Sequence, residues 1–107
     1  DTNVIDAYAG PMVSMCSVHN APDTSCGTVG PASRDECPGW FAKLWEDQKP
    51  WLEEHLGKST ATWQVVVTHF PPIWNKEFWA DLSHRHGIDL IVGGHVHFQE
   101  FHYKEPG

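Results

Sequence analysis

The chain has 107 residues, 40% of them apolar, with six Trp, five Phe and a formal charge of −7. That length allows at most one domain, and that apolar content excludes a disordered tail. The acidic balance excludes binding to nucleic acid by charge alone, since there are only seven Lys and Arg, and no apolar run approaches the roughly 18 residues of a membrane-spanning helix.

The opening DTNVIDAYAG lacks the basic start and apolar stretch of a secretory signal, and Val4 and Ile5 predict the end of a short strand. Residues 10–39 are rich in Gly, Pro and Ser and predict a long loop, a kind of segment that is usually functional or cross-linked. It carries Cys16, Cys26 and Cys37 with no CxxC spacing, which argues against a zinc ribbon and for disulfides in an extracellular or lumenal protein. The nearer pairing is Cys16 with Cys26, which leaves Cys37 free or joined to another chain. Three unpaired thiols in a reducing compartment are the alternative.

From Trp40 the period changes. Phe41, Leu44, Trp45, Gln48, Leu52 and Leu56 follow helical spacing, but Pro50 predicts a break, because an interior proline removes a hydrogen bond and clashes with the preceding turn. The expectation is a turn or two from Trp40, then a helix restarting near Asp47 and capped by Gly57. Trp63–Thr68 is a β-branched run of strand length, expected to be buried on both faces, and Pro71-Pro72 stop it just after His69. A helix follows over Lys76–His86 with Phe78, Trp79, Leu82 and His86 inward and Gly87 as its stop. Ile88–Val92 reads as a second buried strand, broken at Gly93-Gly94, and Phe98–Tyr103 as a further one.

A strand–helix–strand unit places its two apolar strands parallel and adjacent, so both end at one edge of the sheet, where ligands gather in α/β folds. His69 therefore converges with His95 and His97. The double glycine is expected to let the backbone turn sharply and present both later imidazoles, and imidazole is a common ligand of transition metals. An isolated HxH is weak; "strand, THFPP" followed at one helix's distance by "strand, GGHVH" is far more specific.

Together VVVTHFPP and IDLIVGGHVH resemble the last two signature blocks of the calcineurin-like metallophosphoesterases, and within them the purple acid phosphatases. QKPWLEEHL and the opening DTN resemble, more weakly, the helix and strand that precede those blocks. The resemblance implies an α/β fold, the C-terminal half of a β-sandwich flanked by helices, with residues 1–107 forming that half and 10–39 a cysteine-containing loop. It implies that His69 and His95 bind one metal ion and His97 the other, in a pair of divalent or trivalent ions (Fe, Zn or Mn) that hydrolyses phosphoric esters. No GDxH, GDxxD or GNH[DE] string occurs in the chain, so the remaining ligands are expected from an N-terminal half on a second chain or missing segment, and the chain alone is not expected to be active. Phe70–Trp79 has Glu77 as its one acid and no His, so a proton donor for the leaving group must come from elsewhere or be unnecessary.

Among the other residues, Trp74 is placed to wall a substrate pocket and His19 to reach one from the loop. His84 and His86 share a helix at a spacing unsuited to one metal, because helical pairs use i,i+4. His102 reads as structural, His55 lies late in a helix, the remaining tryptophans read as packing residues, and Glu46-Asp47 with Glu53-Glu54 as a solvated helix face. Two readings follow: part of a metal-dependent phosphoesterase, or a non-catalytic structural or binding subunit of the same lineage. A stand-alone His₃ zinc protein is weaker, because a cut sheet with open edges aggregates.

Overall fold

The computed structural model describes residues 2–102. In chain order these form α1 (Val4–Ala7), a 3₁₀ turn (Gly27–Val29), α2 (Cys37–Lys58), β1 (Val65–Thr68), a second 3₁₀ turn (Pro72–Asn75), α3 (Lys76–His86) and β2 (Leu90–Gly93). The two strands are parallel, with Val65, Val66, Val67 and Thr68 opposite Leu90, Ile91, Val92 and Gly93. The expected α/β unit is present, and α3 is its crossover.

Alternation along the strands decides what they bury. Val66 and Ile91 face the helices and join a core of Trp45, Leu52, Trp79 and Leu82. Leu82 is fully buried, and Trp45 meets Phe78 edge-on with ring centroids 4.8 Å apart. On the other face Val65 is 53% exposed, Val67 78%, Leu90 53% and Val92 44%. The strands are therefore covered on one side only, contrary to the expectation of double burial. The radius of gyration, 16.2 Å, exceeds the roughly 13 Å of a compact domain of this length, in keeping with its elongated extents of 51 × 30 × 19 Å.

Several local expectations change. Val4 and Ile5 lie in a helical turn, not a strand, closed by the Ala7 N–H on the Asn3 carbonyl (2.9 Å). Val4 packs on the core, and Asp6 accepts the Met15 N–H at 2.7 Å, so tertiary contacts override the β-branched preference. The helix from Cys37 to Lys58 is unbroken through Pro50. Pro50 lies on the exposed side, where water can satisfy the carbonyl it leaves unpaired, while Trp45 and Leu52 hold the two flanking turns against one core. Gly57 does not end this helix; Ser59 does, in extended conformation. Gly87 caps α3 as expected, at φ 67. Residues 98–102 form no strand, Phe101 being 92% exposed, and Tyr103 lies outside the described residues. Trp45 and Trp79 are core residues, but Trp51, Trp63 and Trp74 are exposed.

Glu53 is more than a solvated acid. It receives a bidentate pair of hydrogen bonds from Arg85 of α3 and lies 2.6 Å from His86 Nε2. These contacts clamp α2 to α3 beside the core. The Arg85 guanidinium, and then the His86 ring, hold the Glu53 carboxyl down to about 2.

The cysteine pairing also differs from expectation. Cys16 bonds to Cys37, with Cα atoms 5.6 Å apart, and Cys26 is the free, exposed cysteine. Sequence proximity misleads here. Cys37 opens α2 and packs with Cys16 and Ala7 in a small second core, whereas Cys26 is held in a separate turn by its N–H on the Pro31 carbonyl. Cys37 is thus engaged within the chain and is not the cysteine left for another.

Non-reducing peptide mapping finds Cys16 linked to Cys37, and Cys26 is not joined to Cys16; a Cys16–Cys26 peptide would refute the pairing. Since the bridge closes a separation of 21 residues, replacing both cysteines by Ser costs about 3 kcal/mol in chemical denaturation. For Glu53, a depressed folded pKa adds stability that is present above its ordinary value of 4.5 and lost as pH falls towards about 2. The gap in unfolding midpoint between the unaltered protein and Glu53→Gln is therefore widest above about pH 4.5 and closes towards about pH 2. A pH-independent gap would show that the clamp is not electrostatic.

Candidate metal centre

His69 immediately follows β1, and His95 follows β2 by one residue. Because Thr68 is the partner of Gly93, the ladder continues one step past the strands, with the Gly94 N–H donating to the His69 carbonyl at 2.9 Å. The two imidazoles meet across this step: His69 Nε2 lies 3.1 Å from His95 Nδ1, 26 residues away in sequence. Whichever ring carries a proton on its facing nitrogen donates to the other.

The double glycine acts differently from expectation. Neither Gly93 nor Gly94 has a positive φ; His95 and His97 do, at 71° and 56°. What the glycines supply is room. A Cβ on Gly93 would stand 3.0 Å from Pro71 Cα and 3.1 Å from Pro72 Cδ, and one on Gly94 would stand 3.3 Å from the His69 carbonyl oxygen. The Val96 N–H then bonds to the Gly94 carbonyl at 2.9 Å, closing a three-residue turn centred on His95. With positive φ at its centre this is the rare, strained form of γ-turn, a kind of strain that clusters at functional sites.

Two aromatic residues brace the pair. Phe70 is buried, with its ring centroid 4.7 Å from His69 and 4.5 Å from His95. The 3₁₀ turn after Pro71 brings Trp74 edge-on to His95 at 5.3 Å and against Phe70 at 5.5 Å. Trp74 thus stands beside His95, while remaining half exposed. On its other side Trp74 borders a concavity of about 680 Å³ that also involves Pro71, Gly94, Val96, Phe98 and Phe101.

The pair fits a shared transition-metal ion. Two nitrogens at about 2.0–2.1 Å from one ion stand about 2.9 Å apart at a right angle and about 3.4 Å apart at the tetrahedral angle, and the observed 3.1 Å falls between. Only two candidate side chains are so assembled. Among the described residues no three His, Cys, Asp or Glu side chains converge, so His97 does not join the pair in this structure. The remaining histidines have other settings. His19 is exposed in the loop closed by the disulfide, His84 is exposed on α3, and His86 pairs with Glu53. His55 stacks on Trp51 with centroids 4.3 Å apart, and exposed His102 lies 3.5 Å from Glu100. Thr2 and Phe70 lie inside the DTN and THFPP strings but were not legible as site residues, because a hydroxyl and a phenyl ring matter here only through contacts the fold creates.

The family model for calcineurin-like phosphoesterases matches residues 20–99, most of the chain. No curated protein and no solved structure matches it. The chain belongs to the calcineurin-like phosphoesterases, a family of phosphoester hydrolases that work with divalent metal ions.

The tight passage at Gly93 makes a prediction. Gly93→Ala forces its methyl group against two proline carbons that belong to rigid rings or backbone, and it should cost about 1–3 kcal/mol, as overpacking does. Gly94→Ala, with one contact at 3.3 Å, should cost less. Denaturant midpoints for the two variants test this, and a larger loss at Gly94 would contradict the packing described.

Proposed function

We propose that this chain supplies the C-terminal histidine ligands of a two-metal phosphoesterase centre of purple acid phosphatase type. His69 and His95 hold one ion and His97 the other. The observation that carries this reading is the 3.1 Å approach of His69 Nε2 to His95 Nδ1 at the ends of two parallel strands. When bound, the ions (Fe, Zn or Mn) polarise the phosphoryl oxygens and lower the pKa of a bound water.

The chain's own residues do the positioning. The Gly94–His69 backbone bond fixes the spacing of the two strand ends, Phe70 and Trp74 hold the imidazole planes, and Trp74 walls one side of the substrate's approach, with His19 a weaker contributor from the loop. Chains without acidic ligands at such a centre need a partner, so the carboxylate and amide ligands come from an N-terminal half of the same domain, on a second polypeptide or segment. The bare strand face of Val65, Val67, Leu90 and Val92 supports such a partner, since parallel strands are ordinarily covered on both faces. The disulfide is compatible with an extracellular or lumenal setting.

A second reading is favoured by one observation, the absence among the described residues of a third converging ligand: a phosphoesterase-like subunit that binds or supports a partner without catalysis. One set of measurements separates the two. Intact mass of the purified protein, non-reduced and reduced, is taken with metal analysis and hydrolysis of p-nitrophenyl phosphate on the same sample. The enzyme reading predicts bound metal, and a loss of both metal and activity in His69→Ala and His95→Ala, at least about a hundredfold in kcat/KM, beyond what outer-shell changes produce. His84→Ala should change neither. Metal retained in both His variants, or a partner-containing sample with neither metal nor activity, would leave the non-catalytic reading standing.

A further inference from the structure

We infer that Thr2 is the positioning residue that holds His69 in place. Its side chain is buried, at 5% exposure, and its one hydroxyl does two things at once. Thr2 Oγ1 accepts the Phe70 N–H at 3.2 Å and hydrogen-bonds Thr68 Oγ1 at 2.9 Å. A hydroxyl with one hydrogen and two lone pairs can satisfy both. The residues on either side of His69 are thus tied to a single side chain, 66 and 68 residues away, while the carbonyl of His69 itself is held by Gly94.

The tie matters because of what lies above it. The Phe70 ring packs against both imidazoles, at 4.7 Å and 4.5 Å, so a shift of the Phe70 backbone moves the surface on which both rings rest. Removing the hydroxyl leaves the buried Phe70 N–H without its acceptor and frees the end of β1 just where His69 leaves it. A valine at position 2 keeps the shape and the burial but not the bonds. The consequence for metal affinity rests on the two-metal reading above; the consequence for the imidazole pair does not.

The test compares Thr2→Val, Thr2→Ser and Leu56→Ala with the unaltered protein, keeping any associated polypeptide in place. Leu56 packs on the main core, and its variant controls for lost stability. Two readouts are taken below the unfolding transition: cobalt(II) affinity by titration, and imidazole ¹⁵N NMR of the metal-free protein, which reports the tautomers of His69 and His95. Thr2→Val should weaken cobalt binding about tenfold, the lower end of outer-shell effects, and should shift the tautomer populations of His69 and His95 away from those of the unaltered protein. Thr2→Ser should restore both, and Leu56→Ala should move neither. If the unaltered protein binds no cobalt, the metal reading fails, and the tautomers alone decide the role of Thr2. If Thr2→Val does not fold, Thr68→Val decides it, by a smaller shift in the same direction. Tautomers unchanged in Thr2→Val, or changed as much in Leu56→Ala, would overturn the inference.

Discussion

In-register pairing of two short parallel strands governs the rest of this molecule. Thr68 opposite Gly93 means that the residues leaving the sheet are His69 on one strand and Gly94-His95 on the other. A slip of one residue would invert which side chains face the helices and would also carry His69 past its partner. The Gly94 N–H bond to the His69 carbonyl extends the ladder by one step, and the imidazole contact is built on it. Close passage of the two loops past each other is possible only because positions 93 and 94 lack a Cβ.

The same pairing explains the asymmetric burial. One face of the strands contributes Val66 and Ile91 to a core that α2 and α3 complete, and the Glu53–Arg85–His86 clamp holds those helices together at its margin. The opposite face has no cover within the described residues. Exposed apolar strand surface is ordinarily a contact surface, and it lies on the elements that end in the histidines. Completing the layer and completing the ligand set are then one event in the proposed centre.

Membership of the calcineurin-like phosphoesterases points to phosphoester hydrolysis in general, and the role of the histidine pair in it is the proposal made above. The pair of nitrogens 3.1 Å apart is spaced as ligands of one ion are, and it is braced by aromatic rings and a strained turn. The N-terminal segment contributes through the Thr2 hydroxyl on β1's end, while the disulfide fastens the loop between α1 and α2 to the start of α2. The Thr2 tie thus reaches the histidine junction from a region far away in sequence, while the disulfide serves a separate small core.

The sequence by itself determined the elements whose signals are local and repeated. The β-branched run before His69, the helical period of α3 with its glycine stop, and the two strand-to-histidine junctions were all legible, because side-chain alternation and cap chemistry act over a few residues. Chain connectivity led to the expectation that His69 meets His95 and His97; the structure brings His69 to His95 and does not gather all three. The tertiary structure decided the rest. Pro50 stays inside a helix because packing on both sides of it outweighs one lost hydrogen bond. Cys16 chooses Cys37 over the nearer Cys26 because α1 and the start of α2 share a core. The glycines serve close approach while the histidines take the left-handed backbone, and Thr2 becomes part of the site through a fold that brings the second residue to the sixty-eighth. Each of these depends on contacts between segments distant in sequence, and no local pattern encodes which distant atoms will supply a missing bond or occupy the available space.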